Sequence, residues 1–231
     1  MAITLDVRRY SFVFSGFSAL LMHADNIDGS DELKAWRGNS KNKGLSVPGD
    51  DRTPPWTWRT YLYVDDDSTS PTCGKIVLPA MNVMRGLRQA GAQMTLKGAK
   101  TYKEISQSGI LVTTENCKFT YAKGRELNYQ DVLDMQDETY MDQCVRAKEL
   151  GFELMKRPVN VNGKRHIRVR AKFTEWTVSG TADVNKPELT HDILTNLFAL
   201  AGRGGFGDWR PACKSPGQYG QADASIKLLK D

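Results

Sequence analysis

Val159-Asn160-Val161-Asn162-Gly163-Lys164-Arg165-His166-Ile167-Arg168-Val169-Arg170-Ala171-Lys172-Phe173 carries the clearest local signal in the chain. Asn162-Gly163 is the pair favoured in a two-residue type I′ turn, because both central residues of that turn need positive φ. Beyond the turn Ile167, Val169, Ala171 and Phe173 share one parity, while His166, Arg168, Arg170 and Lys172 share the other. Side chains alternate across a strand, so this spacing predicts a β-ribbon with one apolar face and one basic, solvent-facing face.

Working outward from the ribbon, Pro187 and Thr190 open a helix that runs through Ala201. Ile193, Leu197 and Ala201, with Leu194 and Phe198, form its core face, and Gly202 is expected to stop it. A glycine-rich segment, 202–211, follows, and a last strand alternates through Ala222, Ala224, Ile226 and Leu228. On the other side, Glu126–Leu150 reads equally as helix or strand. Leu111–Tyr121 is strand-rich, and Pro79 precedes a helix over Met81–Ala90 that ends at Gly91. Trp56, Trp58, Thr60, Leu62 and Val64 alternate and predict a strand, followed by a turn over Asp65–Thr72. Residues 24–55 are rich in Asp, Gly, Asn, Ser and Pro, with a short helix near Asp31–Trp36 capped by Ser30. The first strand shows Ile3, Leu5 and Val7 on one parity and Tyr10, Phe12 and Phe14 on the other, with a bend near Arg8-Arg9.

The order is strand, insertion, helix, strand, strand, helix, strand. That is the connectivity of an α+β, RRM/ferredoxin-like (split βαβ) core with large insertions. The reading is a single RRM-like domain over 1–231, with an insertion at about 24–75 and a second irregular region at about 122–156. No repeat or linker divides it.

Composition narrows the class. With 231 residues, 40% hydrophobic and 26% charged, the chain is neither disordered, collagen-like nor of low complexity. Its longest apolar runs, such as Ala19–Met22, fall far below the roughly 20 residues of a membrane span. The start, MAITLDVRRY, has no apolar secretory core, so a cytoplasmic protein is expected. Cys73, Cys117, Cys144 and Cys213 form no C-x-x-C pair and read as free thiols. With only three histidines, no metal or cofactor is expected.

The net charge of +5 hides a segregation. Met84–Lys103 carries five bases and no acid, Lys156–Lys172 seven bases and no acid, and Glu126–Asp142 six acids and no base. Like charges opposite one another destabilise a ribbon, so an all-basic face predicts a polyanion that neutralises it. In the glycine-rich segment, Arg203 and Arg210 supply charge and Trp209 a stacking face for a phosphate-binding loop; a plain helix cap with a flexible loop is the alternative. The segment follows a helix and leads into a strand, the reverse of a dinucleotide-binding fingerprint, and it lacks the Gly-Lys-Ser/Thr of a Walker A loop. The nucleic-acid-binding residues so selected are Arg85, Arg88, Lys97, Lys100, Lys164, Arg165, His166, Arg168, Arg170, Lys172, Arg203, Trp209 and Arg210. Asp25, Asp28 and Asp31 are the carboxylates that a rival metal-dependent ribonuclease would use, although Asp also favours loops for its own reasons.

Three features resemble the RAMP superfamily, the RRM-like RNA-binding proteins of CRISPR effector complexes. The first strand runs into the small-residue loop Phe14-Ser15-Gly16-Phe17-Ser18-Ala19-Leu20. Leu78-Pro79-Ala80-Met81-Asn82-Val83-Met84-Arg85-Gly86-Leu87-Arg88 is similar to the start of that superfamily's first helix, with Ala80-Met81-Asn82 replacing its usual Gly-Ser-Ser. The glycine-rich loop lies between the second helix and the last strand, as there, and continues into an unusual Asp208-Trp209-Arg210-Pro211. The resemblance implies a non-catalytic subunit that binds single-stranded nucleic acid, RNA in particular. It would self-assemble as a homo-oligomer or within a multi-subunit antiviral ribonucleoprotein, with residues 24–75 supplying a thumb or finger. A single-strand-binding protein of a phage or other mobile element would share these features. A third reading is a structural assembly protein whose basic faces meet acidic faces of its neighbours.

Overall fold

The computed structural model of the chain describes residues 6–24 and 26–230. The expected strand positions Ile3 and Leu5 lie outside the described residues, as does Asp25. In chain order the elements begin with β1 (Arg8–Gly16), β2 (Leu20–Leu21), α1 (Ile27–Gly38), a 3-10 turn (Thr57–Tyr61), β3 (Val77–Pro79), α2 (Ala80–Gln93), β4 (Thr95–Lys97), β5 (Lys100–Thr101) and α3 (Lys103–Gly109). They continue with β6 (Ile110–Val112), β7 (Asn116–Tyr121), α4 (Tyr129–Leu133), α5 (Tyr140–Leu150), β8 (Glu153–Val161), β9 (Lys164–Phe173), β10 (Trp176–Val184), α6 (His191–Gly204) and β11 (Ala222–Leu228). The fold is mixed α+β with antiparallel sheets. Among the described residues no helix is long and apolar enough to cross a membrane. The described residues form two compact units, one drawn from 6–20, 77–124 and 174–230, the other from 21–24, 26–76 and 125–173.

The first unit is built on a sheet ordered β11-β1-β10-β7-β3, in which β6 also pairs β10 and every pairing is antiparallel. Tyr10, Phe12 and Phe14 are buried, as their parity predicts. The Phe12 and Phe14 rings meet Phe198 of α6 at 5.5 and 5.8 Å, and Phe14 meets Phe206 edge-on at 4.8 Å. Val83, Leu87 and Ala90 give α2 its buried stripe. The reverse face of β1 and β10 is mostly polar, with Ser11 opposite Thr181, Val13 opposite Ser179 and Ser15 opposite Thr177.

Three sequence expectations are corrected in this unit. The strand between β1 and β7 is β10, whereas the expected strand order put the 159–173 ribbon in that sheet; the ribbon belongs to a separate sheet. Gly91 does not end α2, which continues to Gln93; a Cβ at Gly91 would lie 2.5 Å from Ser106 Oγ, so the glycine admits α3. Gly202 does not end α6 either. A Cβ there would lie 2.3 Å from the Ala222 carbonyl oxygen, so it permits close approach of β11, and Gly205 (φ 80°) turns the chain instead.

In the second unit β8 and β9 form the hairpin, with Asn162 (φ 52°) and Gly163 (φ 78°) in the left-handed region that a type I′ turn demands. Trp58 and Phe173 pack on Phe152, and the Trp58 indole N–H donates to Gln143 Oε1 at 2.7 Å. Two expectations fail here. The stretch 56–64 contains a 3-10 turn rather than a strand, with Trp56 and Trp58 in the core. The first helix starts at Ile27, and Asn26 rather than Ser30 caps it by accepting from Gly29 N–H. The ambiguous stretch 126–150 is helical, and Thr139 caps α5.

Candidate nucleic-acid interface

The ribbon of the second unit divides into a rooted half and a projecting half. Val169, Ala171 and Phe173 of β9 are buried, as their parity predicts. The basic parity behaves less simply. Arg170 is only 3% exposed; its guanidinium lies 3.7 Å from the Tyr61 ring centroid and donates to Asp51 Oδ2 at 3.2 Å. Arg168 Nη1 donates to Asp51 Oδ1 at 2.9 Å, and Lys172 Nζ to Glu153 Oε2 at 2.9 Å. The expectation of a wholly solvent-facing basic surface is therefore corrected: Asp51, 117 residues before Arg168, supplies a buried counter-charge that a survey of neighbouring sequence misses. His166 lies against Gly49, where a Cβ would come within 2.5 Å of its Nδ1.

The projecting half is different. Lys156, Arg157, Lys164 and Arg165 are exposed around the turn. Arg157 stands directly across from Arg168, a like-charged cross-strand pair, and no acid occurs from 154 to 174. The Asp51 carboxylate meets the Arg168 member of that pair.

In the first unit Arg85 and Arg88 are exposed on α2. One turn beyond Arg85, the Gln89 side-chain amide donates to the Ala212 carbonyl oxygen of the glycine-rich loop at 3.3 Å, so this face of α2 borders the loop. The loop is tightly built. A Cβ at Gly220 would lie 1.9 Å from the Phe206 carbonyl oxygen, and one at Gly217 2.1 Å from that of Trp209. Trp209 itself has φ 47°, a left-handed conformation unusual for so large a residue, and its ring lies 6.5 Å from that of Tyr219. Arg210 donates to the Gly207 carbonyl oxygen at 3.1 Å. Arg203 lies over the Phe17 ring at 4.4 Å and pairs with Asp223 at 2.9 Å, with both side chains of that ion pair well exposed. Lys97 and Lys100 occupy a separate exposed hairpin, β4–β5.

The rival's acids lie on helix α1. Asp28 and Asp31 are exposed in its first turns, and Glu32 accepts a 2.5 Å hydrogen bond from Arg59. Among the described residues no three His, Cys, Asp or Glu side chains stand close enough to hold a metal ion. Asp65 is buried and accepts from Ser70, Thr72 and the Asp67 N–H, which accounts for it as the organiser of its loop. No protein-family model matches the chain, and no curated protein matches it significantly.

Proposed function

We propose that the chain binds single-stranded nucleic acid, RNA in particular, without catalysing a reaction on it, and that it self-assembles in the manner of a RAMP-type backbone subunit. The observation that carries this reading is the projecting half of the β8–β9 ribbon, where Lys156, Arg157, Lys164 and Arg165 are exposed with no acid in the segment. Four cations on a protruding ribbon form a rail for phosphates, whose contacts carry little sequence information. Around α2, Arg85 and Arg88 border the loop that holds Trp209 and Arg210, a combination of charge and stacking surface suited to single strands.

The core topology supports the same reading. Counting β1, the β6–β7 segment, β10 and β11 as four successive core strands, their order across the sheet is fourth, first, third, second, with α2 and α6 as the connecting helices. On this counting the order favours reading the sheet as an RRM-like split βαβ core.

The test is fluorescence anisotropy of labelled homopolymer oligonucleotides of equal length over a salt series. Binding should show little base preference. Its logarithm should fall with the logarithm of salt by roughly 0.7 for each phosphate neutralised. A flat salt response, or binding confined to one homopolymer, overturns the reading. So does cleavage of the oligonucleotide in magnesium or manganese that Asp28→Asn with Asp31→Asn abolishes.

A further inference from the structure

The β4–β5 hairpin and the α4–α5 region carry complementary surfaces. In the hairpin Lys97 and Lys100 stand directly opposite one another, a like-charged pair on a short exposed ribbon, with Lys103 exposed just beyond and Leu96 38% exposed between them and α2. In the α4–α5 region Asp134 and Asp137 are exposed in the turn before α5, and Asp142 is exposed in its first turn. Beside them Met141 and Val145, one helical turn apart, are 66% and 58% exposed. None of Lys97, Lys100, Asp134 or Asp137 is in an ion pair with another described residue.

We infer that the β4–β5 hairpin of one copy docks on the α4–α5 surface of a second copy, with Leu96 against Met141 and Val145 and the lysines against Asp134 and Asp137. Two observations favour this occupant over a phosphate backbone. The hairpin carries the exposed Leu96 next to its lysines, and a phosphate rail offers nothing for Leu96, whereas α5 exposes Met141 and Val145 close in sequence to the acids. The two surfaces are also carried by one chain, so every copy supplies one of each. A joint between different surfaces is heterologous, so each copy offers both halves of it. The inference deepens the self-assembly part of the proposed function, and it assigns Lys97 and Lys100 to that role rather than to phosphate.

The experiment is sedimentation velocity of the full chain without nucleic acid, at low salt, over a concentration series. The variants are Lys97→Glu with Lys100→Glu, and Asp134→Lys with Asp137→Lys, each checked for an unchanged melting temperature. Each variant alone meets like charge with like charge at every joint, so its self-association should weaken about tenfold or more. An equimolar mixture of the two should associate again, because every joint between unlike copies pairs opposite charges. General damage to the fold would not give that recovery. A monomeric unmodified protein, either variant associating as the unmodified protein does, or a mixture that stays apart overturns the inference. So does a Lys97→Glu, Lys100→Glu variant that loses oligonucleotide binding while still associating, which would make the hairpin a phosphate contact. If the association pattern holds while no oligonucleotide binds, the docking stands and the nucleic-acid reading falls.

Discussion

Asp51 Oδ2 lies 3.2 Å from Arg170 Nη1, with both side chains almost wholly removed from water, at 3% and 4% exposure. The same carboxylate accepts from Arg168 and from the Val169 N–H. Asp51 therefore ties residues early in the second unit to the rooted half of the ribbon. Breaking a buried pair leaves an uncompensated charge and costs about 3–5 kcal/mol. Arg170→Glu is worse, since it sets two carboxylates together. Arg170→Glu and Asp51→Ala should each lower the melting temperature by about 10 °C or more. A variant that melts within two or three degrees of the unmodified protein would show the pair to be peripheral.

Because Arg170 is structural, the ribbon's role in binding is to be tested on its exposed residues. Lys164→Glu with Arg165→Glu should leave the melting temperature unchanged, as surface substitutions do. Oligonucleotide affinity should fall at least tenfold at low salt, and the salt slope should flatten by about 1.4, roughly 0.7 for each of two lost phosphate contacts. Unchanged affinity would assign the projecting half of the ribbon to another partner.

How far the sequence could be read follows from which physics is local. The type I′ turn at Asn162-Gly163, the apolar faces of α2 and α6, and the alternation of Tyr10, Phe12 and Phe14 in β1 depend on neighbours a few residues apart, and the structure keeps all of them; in β11 burial fades from Ala222 to Leu228, which is 47% exposed. The stretch 56–64 misled because Thr57, Arg59 and Thr60 are buried along with Trp56, Trp58 and Leu62. In a segment buried on all sides, alternation of apolar residues reports no strand face. Strand β10 had a legible signal in Trp176, Val178, Ala182 and Val184. It is interrupted by Gly180, where a Cβ would lie 2.8 Å from the Phe12 ring. The counter-charge at Asp51 was beyond reach, because nothing within a window of sequence reports a partner more than a hundred residues away. Candidate binding residues were legible as charge runs; which of them stay exposed was not.

The cysteines should separate by reactivity. Burial pushes the Cys117 thiol up to about 12, while Cys73 is exposed. The thiolate is the nucleophile, so at pH 8 only about one Cys117 in ten thousand is ionised. Iodoacetamide followed by peptide mass analysis should modify Cys73 within minutes and leave Cys117 intact until the protein is denatured. Modification of Cys117 at a rate similar to Cys73 in the folded protein would contradict its place in the core.

Acid stability should depend on two arginine–carboxylate pairs. The Arg52 side chain, by hydrogen bonding Asp50, holds that carboxyl below its ordinary 3.8, and Arg9 does the same for Asp183. A carboxyl depressed in the folded state contributes stability that is fully present above its unfolded value and is lost as pH falls through its folded value. The melting temperature should therefore drop from about pH 4 downward. In Arg52→Ala with Arg9→Ala it should start lower and change less over that range. Parallel curves for the variant and the unmodified protein would show that other groups govern acid unfolding.

Trp209 offers the sharpest separation of structure from binding. Its left-handed φ of 47° costs a bulky L-residue roughly 1–2 kcal/mol, which glycine does not bear. Trp209→Gly relieves that strain while losing the contact with Tyr219, so the melting temperature should move by no more than two or three degrees. Affinity for single strands should fall about tenfold, because stacking on an aromatic side chain contributes about 1–3 kcal/mol per base. Gly217→Ala provides the opposite case. Its new Cβ would lie 2.1 Å from the Trp209 carbonyl oxygen, so the loop must shift, and both stability and affinity should fall together. If Trp209→Gly instead destabilises the protein as Gly217→Ala does while binding holds, Trp209 serves the loop's architecture and the stacking surface lies elsewhere.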